Sequence, residues 1–125
     1  MSEIENKELA RRWQDEQWNK KNYDIVDELL SPSLGIEEHK AWMRTMHAAT
    51  DIQMTVLDAI GEGDQVVLHW TSTGIPRDDT PDTPAGKPFT MRGLTLLRFA
   101  DGKIVEDASY WEDSRSPLVG DKSSY

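Results

Sequence analysis

Cysteine is absent from this sequence, which excludes disulfide bonds, thiolate catalysis and the common zinc sites built on cysteine. Long apolar runs are absent too: no segment approaches the roughly 18 consecutive apolar residues of a membrane span, and the first residues contain no apolar core of a signal peptide. Basic residues are few, with 14 Lys and Arg against 23 Asp and Glu, and the net charge of -9 would repel nucleic acids and anionic membranes. We therefore expect a cytoplasmic protein that binds neither nucleic acid nor membrane.

A length of 125 residues is typical of one domain, which can bury about two thirds of its unfolded surface. Apolar residues make up 37% of the chain and include five Trp, so large aromatic side chains should supply much of the core. No repeat, low-complexity tract or linker interrupts the sequence. The prediction is a single domain over residues 1–125, with a frayed tail over residues 114–125 that is rich in Ser, Gly and charge.

The first half of the chain has the periodicity of helices. Apolar residues in an otherwise charged segment predict an amphipathic helix over Glu5–Asn19. A second, short helix begins near Asp24 and ends at Ser31-Pro32, because the residue before a proline resists the helical conformation. A third helix runs from about Gly35 to Ala49. One side of it carries six apolar or histidine residues: Ile36, His39, Trp42, Met43, Met46 and His47.

After Thr50 the apolar period changes to two, which is typical of half-buried strands. One face of the first predicted strand carries four apolar residues: Ile52, Met54, Val56 and Ile60. Three more strands are predicted over Gln65–Gly74, Phe89–Phe99 and Ile104–Glu112, and glycine-containing turns join the first pair and the last pair. Helices followed by an antiparallel meander give an α+β fold. A curved sheet wrapped over a helix leaves an apolar hollow in which a small ligand would sit.

The segment Ile75–Lys87 joins the second and third predicted strands and is rich in proline and aspartate. Because proline cannot donate to a central strand, this composition predicts a long exposed loop. Long loops in compact domains often act as lids over a binding site, so we expect this one to be mobile without ligand.

Four motifs in the second half occur in the order known from one family. They are the strand Gly63-Asp64-Gln65-Val66 leading to Trp70-Thr71-Ser72-Thr73-Gly74, the segment Gly86-Lys87-Pro88, the hairpin Asp101-Gly102-Lys103-Ile104-Val105-Glu106, and an acidic residue after the aromatic pair Tyr110-Trp111. The sequence resembles SnoaL-like polyketide cyclases and ester cyclases of the nuclear transport factor 2-like superfamily, over roughly residues 5 to 113. The resemblance implies a cone-shaped fold with N-terminal helices packed on a curved antiparallel sheet. That fold also serves isomerases, hydroxylases, hydrolases and non-catalytic binders.

The resemblance implies a cofactor-independent reaction on a small hydrophobic carbonyl compound. In an intramolecular aldol closure, a carboxylate removes a proton next to one carbonyl group, and the resulting enol attacks a second carbonyl. The family's acidic position falls on Glu112 in a match without gaps, and on Asp113 if the strand is bulged. Strict alternation places Glu112 with Tyr110 toward an apolar pocket and Asp113 toward solvent. A hydrophobic pocket would raise the pKa of such a base toward the working pH.

The side chains expected to bind substrate are large and lie on both the helices and the strands: Trp13, Trp42, Met46, Trp70 and Tyr110. We expect neither a metal ion nor another cofactor. His39 and His47 are eight residues apart on one helix, about 12 Å along its axis, which is too far to share a metal ion directly. His69 lies between Leu68 and Trp70 and should point to the outer surface of the sheet.

The sequence departs from the family pattern between the second and third helices. Family members usually have a short strand there, and Ser31-Pro32-Ser33-Leu34-Gly35 leaves no room for one. One wall of the expected pocket is therefore missing or comes from a neighbouring subunit.

An open sheet on so small a domain should be covered by a second copy of the chain. We expect a homodimer formed through the face that carries His69, Thr71 and Thr73. Three hypotheses for function stay open: a SnoaL-like enzyme that uses Glu112 or Asp113, a non-catalytic small-molecule-binding or structural dimeric module, and a cofactor-free hydroxylase on the same fold.

Overall fold

The computed structural model describes residues 2–79 and 84–115. Helix α1 (Glu3–Gln14) begins at Ser2, whose hydroxyl accepts a hydrogen bond from the backbone N–H of Glu5 (3.1 Å). The Glu5 carboxylate in turn accepts one from the backbone N–H of Ser2 (3.3 Å). This capping box satisfies two N–H groups at the helix end, and it starts the helix two residues before the predicted Glu5.

The second part of the first predicted helix is π-helical and covers Asp15–Asn19. A π-helix is wider than an α-helix because its hydrogen bonds join residues five apart. Asn19 fixes this segment to the sheet: its side chain donates to the carbonyl of Met54 (2.8 Å) and accepts from the N–H of Met54 (2.7 Å). These two bonds hold the helical end over the first strand.

Helix α2 (Asp24–Leu29) ends before Ser31-Pro32, as predicted. A 3₁₀ turn over Pro32–Leu34 then leads into helix α3 (Ile36–Ala49) and occupies the place where the family pattern has a strand. Leu30 forms an isolated parallel bridge to Ile104, so the segment touches the sheet at one point without becoming a strand.

Four antiparallel strands follow the helices: β1 (Thr50–Glu62), β2 (Gln65–Pro76), β3 (Phe89–Ala100) and β4 (Lys103–Asp113). They form one sheet in the order β1-β2-β3-β4, which confirms the predicted meander and the α+β class. Strand β2 is two residues longer than predicted, because Pro76 pairs with Thr50 at the end of the sheet. The predicted lid over Ile75–Lys87 thus loses its first two residues to the strand, and its residues 80–83 lie outside the described residues.

The helices cover one face of the sheet, here called the inner face, and the opposite face is called the outer face. The core lies between α1, α2 and the inner face. Its fully buried side chains include Trp13, Val26, Leu68, Leu97 and Ile104. Of the predicted tail, Ser114 still bonds to the Thr90 carbonyl (2.9 Å), and residues 116–125 lie outside the described part. None of the helices in residues 2–79 and 84–115 is long and apolar enough for a membrane crossing.

Candidate active site

Side-chain burial on the inner face changes from one part of the sheet to another. On β2 the inner side chains are buried: Val66, Leu68, Trp70 and Ser72. On the edge strand β4 the inner side chains are only partly buried, and we call them the β4 inner row: Asp107, Ser109, Trp111 and Asp113. The helices therefore leave the β4 side of the inner face accessible. A small ligand that enters between helices and sheet would meet this row.

A β-bulge decides which side chains of β4 face inward. The pairing of β4 with β3 shifts between Arg98 and Phe99, and Val105 is the extra residue. Ile104 is buried in the core before the bulge, and the next inward side chain after it is Asp107. The bulge thus reverses the alternation that a regular strand starting at Ile104 would have.

The orientation predicted for Glu112 is wrong for this reason. Glu112 lies with Tyr110 on the outer face, where Tyr110 is 50% exposed and Glu112 forms an ion pair with the exposed guanidinium of Arg92. Asp113 points inward instead, and only 9% of its side chain is exposed.

The Asp113 carboxylate forms an ion pair with Arg115. Arg115 lies beside it, with 2.5 Å between Nη2 and Oδ2 and 3.0 Å between Nε and Oδ1. The same guanidinium lies over the ring of Phe89, 3.5 Å from its centroid. Asp113 and Arg115 therefore form a polar pair at the open end of the β4 inner row.

Asp107 is the inward acid at the other end of the row. It lies opposite Leu97, which is fully buried. Burial raises the pKa of Asp107 to about 7, and the opposing effect is a hydrogen bond that its carboxylate accepts from the indole N–H of Trp13. Among the described residues it has no ion-pair partner, so near neutral pH this carboxyl can both release and take up a proton.

Trp13 connects Asp107 to helix α3. The ring of His39 lies on the Trp13 ring, with 5.2 Å between centroids, and His39 Nε2 is 2.9 Å from Oε1 of the buried Gln17. Because the amide oxygen can only accept, Nε2 carries the proton. Burial lowers the pKa of His39 to about 4, so the imidazole is neutral at pH 7. The uncharged rings of Trp13 and His39 therefore lie on the helix side of Asp107.

His47, the other histidine of α3, is buried and has a partner for each ring nitrogen. Its Nδ1 is 2.6 Å from the Tyr23 hydroxyl, and its Nε2 is 2.9 Å from the Trp18 carbonyl. Within residues 2–79 and 84–115, His, Asp and Glu side chains do not gather in groups of three that could hold a metal ion. His69 lies on the outer face as predicted and pairs with Asp58 (3.1 Å).

A chain of hydrogen bonds crosses the inner face next to Asp107. The indole N–H of Trp70 donates to the Thr95 hydroxyl (2.9 Å), which lies 2.7 Å from the hydroxyl of Ser109. Trp70 and Thr95 are buried, whereas Ser109 is part of the accessible β4 inner row. These three side chains thus form one hydrogen-bonded chain that ends at Ser109, two residues from Asp107 on the same face.

The five side chains expected to bind substrate do not line one hollow. Trp13 and Trp70 are buried in the core, and each uses its indole N–H inside the protein. Trp42 is 41% exposed on α3, where it packs against Trp18, and Met46 on the same helix is partly buried. Tyr110 is on the opposite side of the sheet. Of the five, Trp13 is the one that interacts with Asp107 of the β4 inner row.

Two depressions of about 350 Å³ each lie along β3 and β4. Arg92 and Glu112 line both of them; Asp113 and Ser114 add to the first, and Tyr110 to the second. Both involve the Arg92–Glu112 ion pair of the outer face, and neither contains Asp107.

Sequence reasoning missed Asp107 and Ser109, which lie on the same face of β4 as Asp113. Two features could have pointed to them. Aspartate is rare inside strands, so Asp107 in the middle of one needs a reason. In addition, Ile104 and Val105 are both aliphatic, so the sequence does not show which of them points toward the core. Which of the later residues of β4 face inward therefore stays open.

The chain matches the family described as SnoaL-like polyketide cyclase over residues 8–116. Among solved structures, AclR, a candidate hydroxylase from Streptomyces galilaeus, is 24% identical, with 89% of this chain and 91% of that chain covered and a TM-score of 0.76. A candidate SnoaL-like polyketide cyclase from Jannaschia sp. CCS1 is also 24% identical, with 88% and 87% covered and a TM-score of 0.78.

A third similar structure, a protein with a ketosteroid isomerase-like fold from Catenulispora acidiphila, is 22% identical, with 82% of this chain and 84% of that chain covered and a TM-score of 0.67. No curated protein matches the chain. The structural likenesses confirm the nuclear transport factor 2-like fold that the motifs implied. Since the family match spans most of the sequence, the chain belongs to the SnoaL-like polyketide cyclase family.

Proposed function

We propose that the protein is a cofactor-independent enzyme that acts on a small hydrophobic carbonyl compound, with Asp107 as its acid–base group. The observation that carries this proposal is the position of Asp107 on the accessible β4 side of the inner face, opposite the buried Leu97. A general base works best when its pKa is near the working pH, and burial brings the pKa of Asp107 to about 7.

The proposed reaction begins with proton transfer from the carbon next to a carbonyl group to the Asp107 carboxylate. The electron pair of the broken C–H bond moves into the carbonyl, which becomes an enolate. The enolate carbon then attacks a second carbonyl of the same molecule and closes a ring by an aldol addition. The new alkoxide takes the proton from Asp107, so the carboxylate is regenerated and no oxidant, metal or other cofactor is consumed.

Glu112 and Asp113 are the competing candidates for the same role. Asp113 shares the inner face with Asp107, but the Arg115 guanidinium holds its carboxylate. Glu112 lies on the outer face in an ion pair with Arg92, beside both surface depressions. A substrate that binds on the inner face would thus meet Asp107 or Asp113 before Glu112.

The test is proton exchange at the carbon next to a carbonyl group, measured by proton NMR in deuterated buffer for 2,4-pentanedione and 2-tetralone. The three variants to compare are Asp107→Asn, Asp113→Asn and Glu112→Gln, each of which keeps the shape of the side chain and loses the proton transfer. We expect Asp107→Asn alone to slow enzyme-dependent exchange by about 10²- to 10⁴-fold, with binding of the ketone nearly intact. Equal exchange in the wild type and Asp107→Asn would contradict the assignment, and a loss confined to Glu112→Gln or Asp113→Asn would transfer the role to that residue.

A second candidate function is a non-catalytic dimeric binding module. It is favoured by the 3₁₀ turn at Pro32–Leu34, where the family pattern has a strand, and by apolar side chains on the outer face, where Leu94 is 49% and Ile60 66% exposed. Ketone binding without exchange in the wild type would support this module over the enzyme.

The likeness to AclR brings in a third candidate, a cofactor-free hydroxylase. Its test is oxygen uptake in the presence of the same ketones, because hydroxylation consumes oxygen and the aldol reaction does not.

A further inference from the structure

The hydrogen-bond chain that ends at Ser109 has a direction. The indole N–H of Trp70 can only donate, so the Thr95 oxygen accepts that bond (2.9 Å). Thr95 is 2% exposed and has one hydroxyl proton, and its other partner in the described residues is the Ser109 oxygen at 2.7 Å. If Ser109 donated to Thr95, the Thr95 proton would be buried without an acceptor, which is unfavourable. Thr95 therefore donates to Ser109.

This direction leaves the hydroxyl proton of Ser109 available. Trp70, Thr95 and Ser109 lie on three successive strands, and the donor direction runs from the buried β2 toward the accessible β4. Hydrogen bonds in such a chain polarise each other, so the last donor is stronger than an isolated serine. The fold thus presents an oriented donor on the β4 inner row.

Ser109 and Asp107 are two residues apart on the same face of β4. Two residues of a strand span roughly 6.6 Å, so one small carbonyl compound can reach both side chains. We propose that Ser109 donates a hydrogen bond to the substrate's carbonyl oxygen and to the enolate oxygen formed from it, and that Thr95 and Trp70 are positioning residues for this donor. This inference rests on the proposed function, because the oxygen becomes an enolate only if a base such as Asp107 removes the neighbouring proton.

The chemistry of the site agrees with this role. Negative charge develops on the carbonyl oxygen during proton removal, and a donor fixed before the reaction stabilises that charge without reorganising. The cationic side chain near this row, Arg115, already binds Asp113 at its far end. Ser109 is then the neutral donor closest in sequence to Asp107 on this face.

The test uses 4-nitrophenol, whose phenolate resembles an enolate and absorbs visible light. It is done in the Asp107→Asn background, where no carboxylate at that position repels the bound phenolate. We expect the protein to lower the apparent pKa of the bound phenol, and Ser109→Ala in the same background to weaken phenolate binding by about 10- to 100-fold relative to the neutral phenol. Ser109→Thr keeps a hydroxyl and should restore most of the preference.

Thr95 variants test the positioning role in the same assay. Thr95→Val removes the relay at nearly the same volume and should reduce the phenolate preference, whereas Thr95→Ser keeps the hydroxyl and should preserve it. If Thr95→Val fails to fold, Ser109→Ala and Ser109→Thr still decide the question, since the Ser109 side chain is small and at an accessible site.

An unchanged phenolate preference in Ser109→Ala would overturn the inference, as would the absence of any preference before that change. Neither result depends on turnover, so both are independent of the exchange assay that tests Asp107. Conversely, a phenolate preference that requires Ser109, together with unimpaired exchange in Asp107→Asn, would keep the oxyanion site and reject Asp107 as the base.

Discussion

Replacing Asp107 by asparagine should make the folded protein more stable above neutral pH. The carboxyl group has a pKa of about 7 in the folded chain against 3.8 as the ordinary value, because burial penalises its charged form. The folded state thus binds this proton more tightly than the unfolded state. The stability that the protonated Asp107 carboxyl contributes is fully present below its pKa in the unfolded chain. That stability is lost as the pH rises through 7, the pKa in the folded chain.

The magnitude follows from the two pKa values. A difference of about three units at roughly 1.4 kcal/mol each gives an upper limit of about 4 kcal/mol for the cost of ionised Asp107. Because Asp107 is only partly buried, we expect about half of that, roughly 2 kcal/mol. Asparagine can still accept the Trp13 hydrogen bond without carrying the charge, so Asp107→Asn should recover this free energy above pH 7 and little of it near pH 4.

The assay is urea unfolding followed by tryptophan fluorescence at pH values on both sides of 7. The quantity to plot against pH is the difference in unfolding free energy between Asp107→Asn and wild type. The contribution of His39 is the same in both proteins and cancels in this difference. That contribution has the opposite pH dependence, because the lowered pKa of His39 makes it decline as the pH falls from 6.5 toward 4. Glu112→Gln is the matched control, since that carboxylate is already paired on the outer face. A constant difference across neutral pH would refute the assignment of a buried, protonatable Asp107.

Two further predictions concern assembly and packing. If the outer face is covered by a second copy, sedimentation at micromolar concentration should give about twice the chain mass of 14.3 kDa. Leu94 is 49% exposed on that face, so Leu94→Glu should give a monomer. A monomeric wild type would count against the dimer. Gly93→Ala should destabilise the protein by about 1–3 kcal/mol, because a Cβ there would overlap the Tyr110 carbonyl oxygen and lie 2.8 Å from the Trp70 ring. Urea unfolding with a midpoint equal to that of wild type would contradict this packing.

Much of the fold could be predicted from local signals. The end of the second helix is marked by Ser31-Pro32, and the two hairpin turns contain Gly63 and Gly102, which both have positive φ. The change of period predicted after Thr50 lies next to the observed start of the sheet, which is Thr50 itself. These features depend on backbone preferences of single residues, so one sequence is enough to find them.

Side-chain direction along two strands could not be predicted in this way. The pairing of β1 shifts at Leu57, so that Ile60, expected on the apolar inner face, is 66% exposed and Ala59 faces inward. The second shift, at Val105, turned Glu112 outward and placed Asp107 and Asp113 on the inner face. Both extra residues are aliphatic, and neither has the glycine that marks one class of bulge, so no local signal distinguishes them from regular strand residues.

The polar residues of the inner face are the part of this chain that conflicts with simple folding rules. An aspartate in mid-strand with a raised pKa destabilises the fold at neutral pH, and the hydroxyls of Thr95 and Ser109 occupy positions where apolar side chains would pack. These groups lie close to each other on β3 and β4, on the side of the inner face that stays accessible. Local conflicts that gather at one accessible place are typical of functional sites, because function can favour what stability disfavours. The same reasoning gives less weight to Glu112, whose exposed ion pair with Arg92 conflicts with no rule of folding.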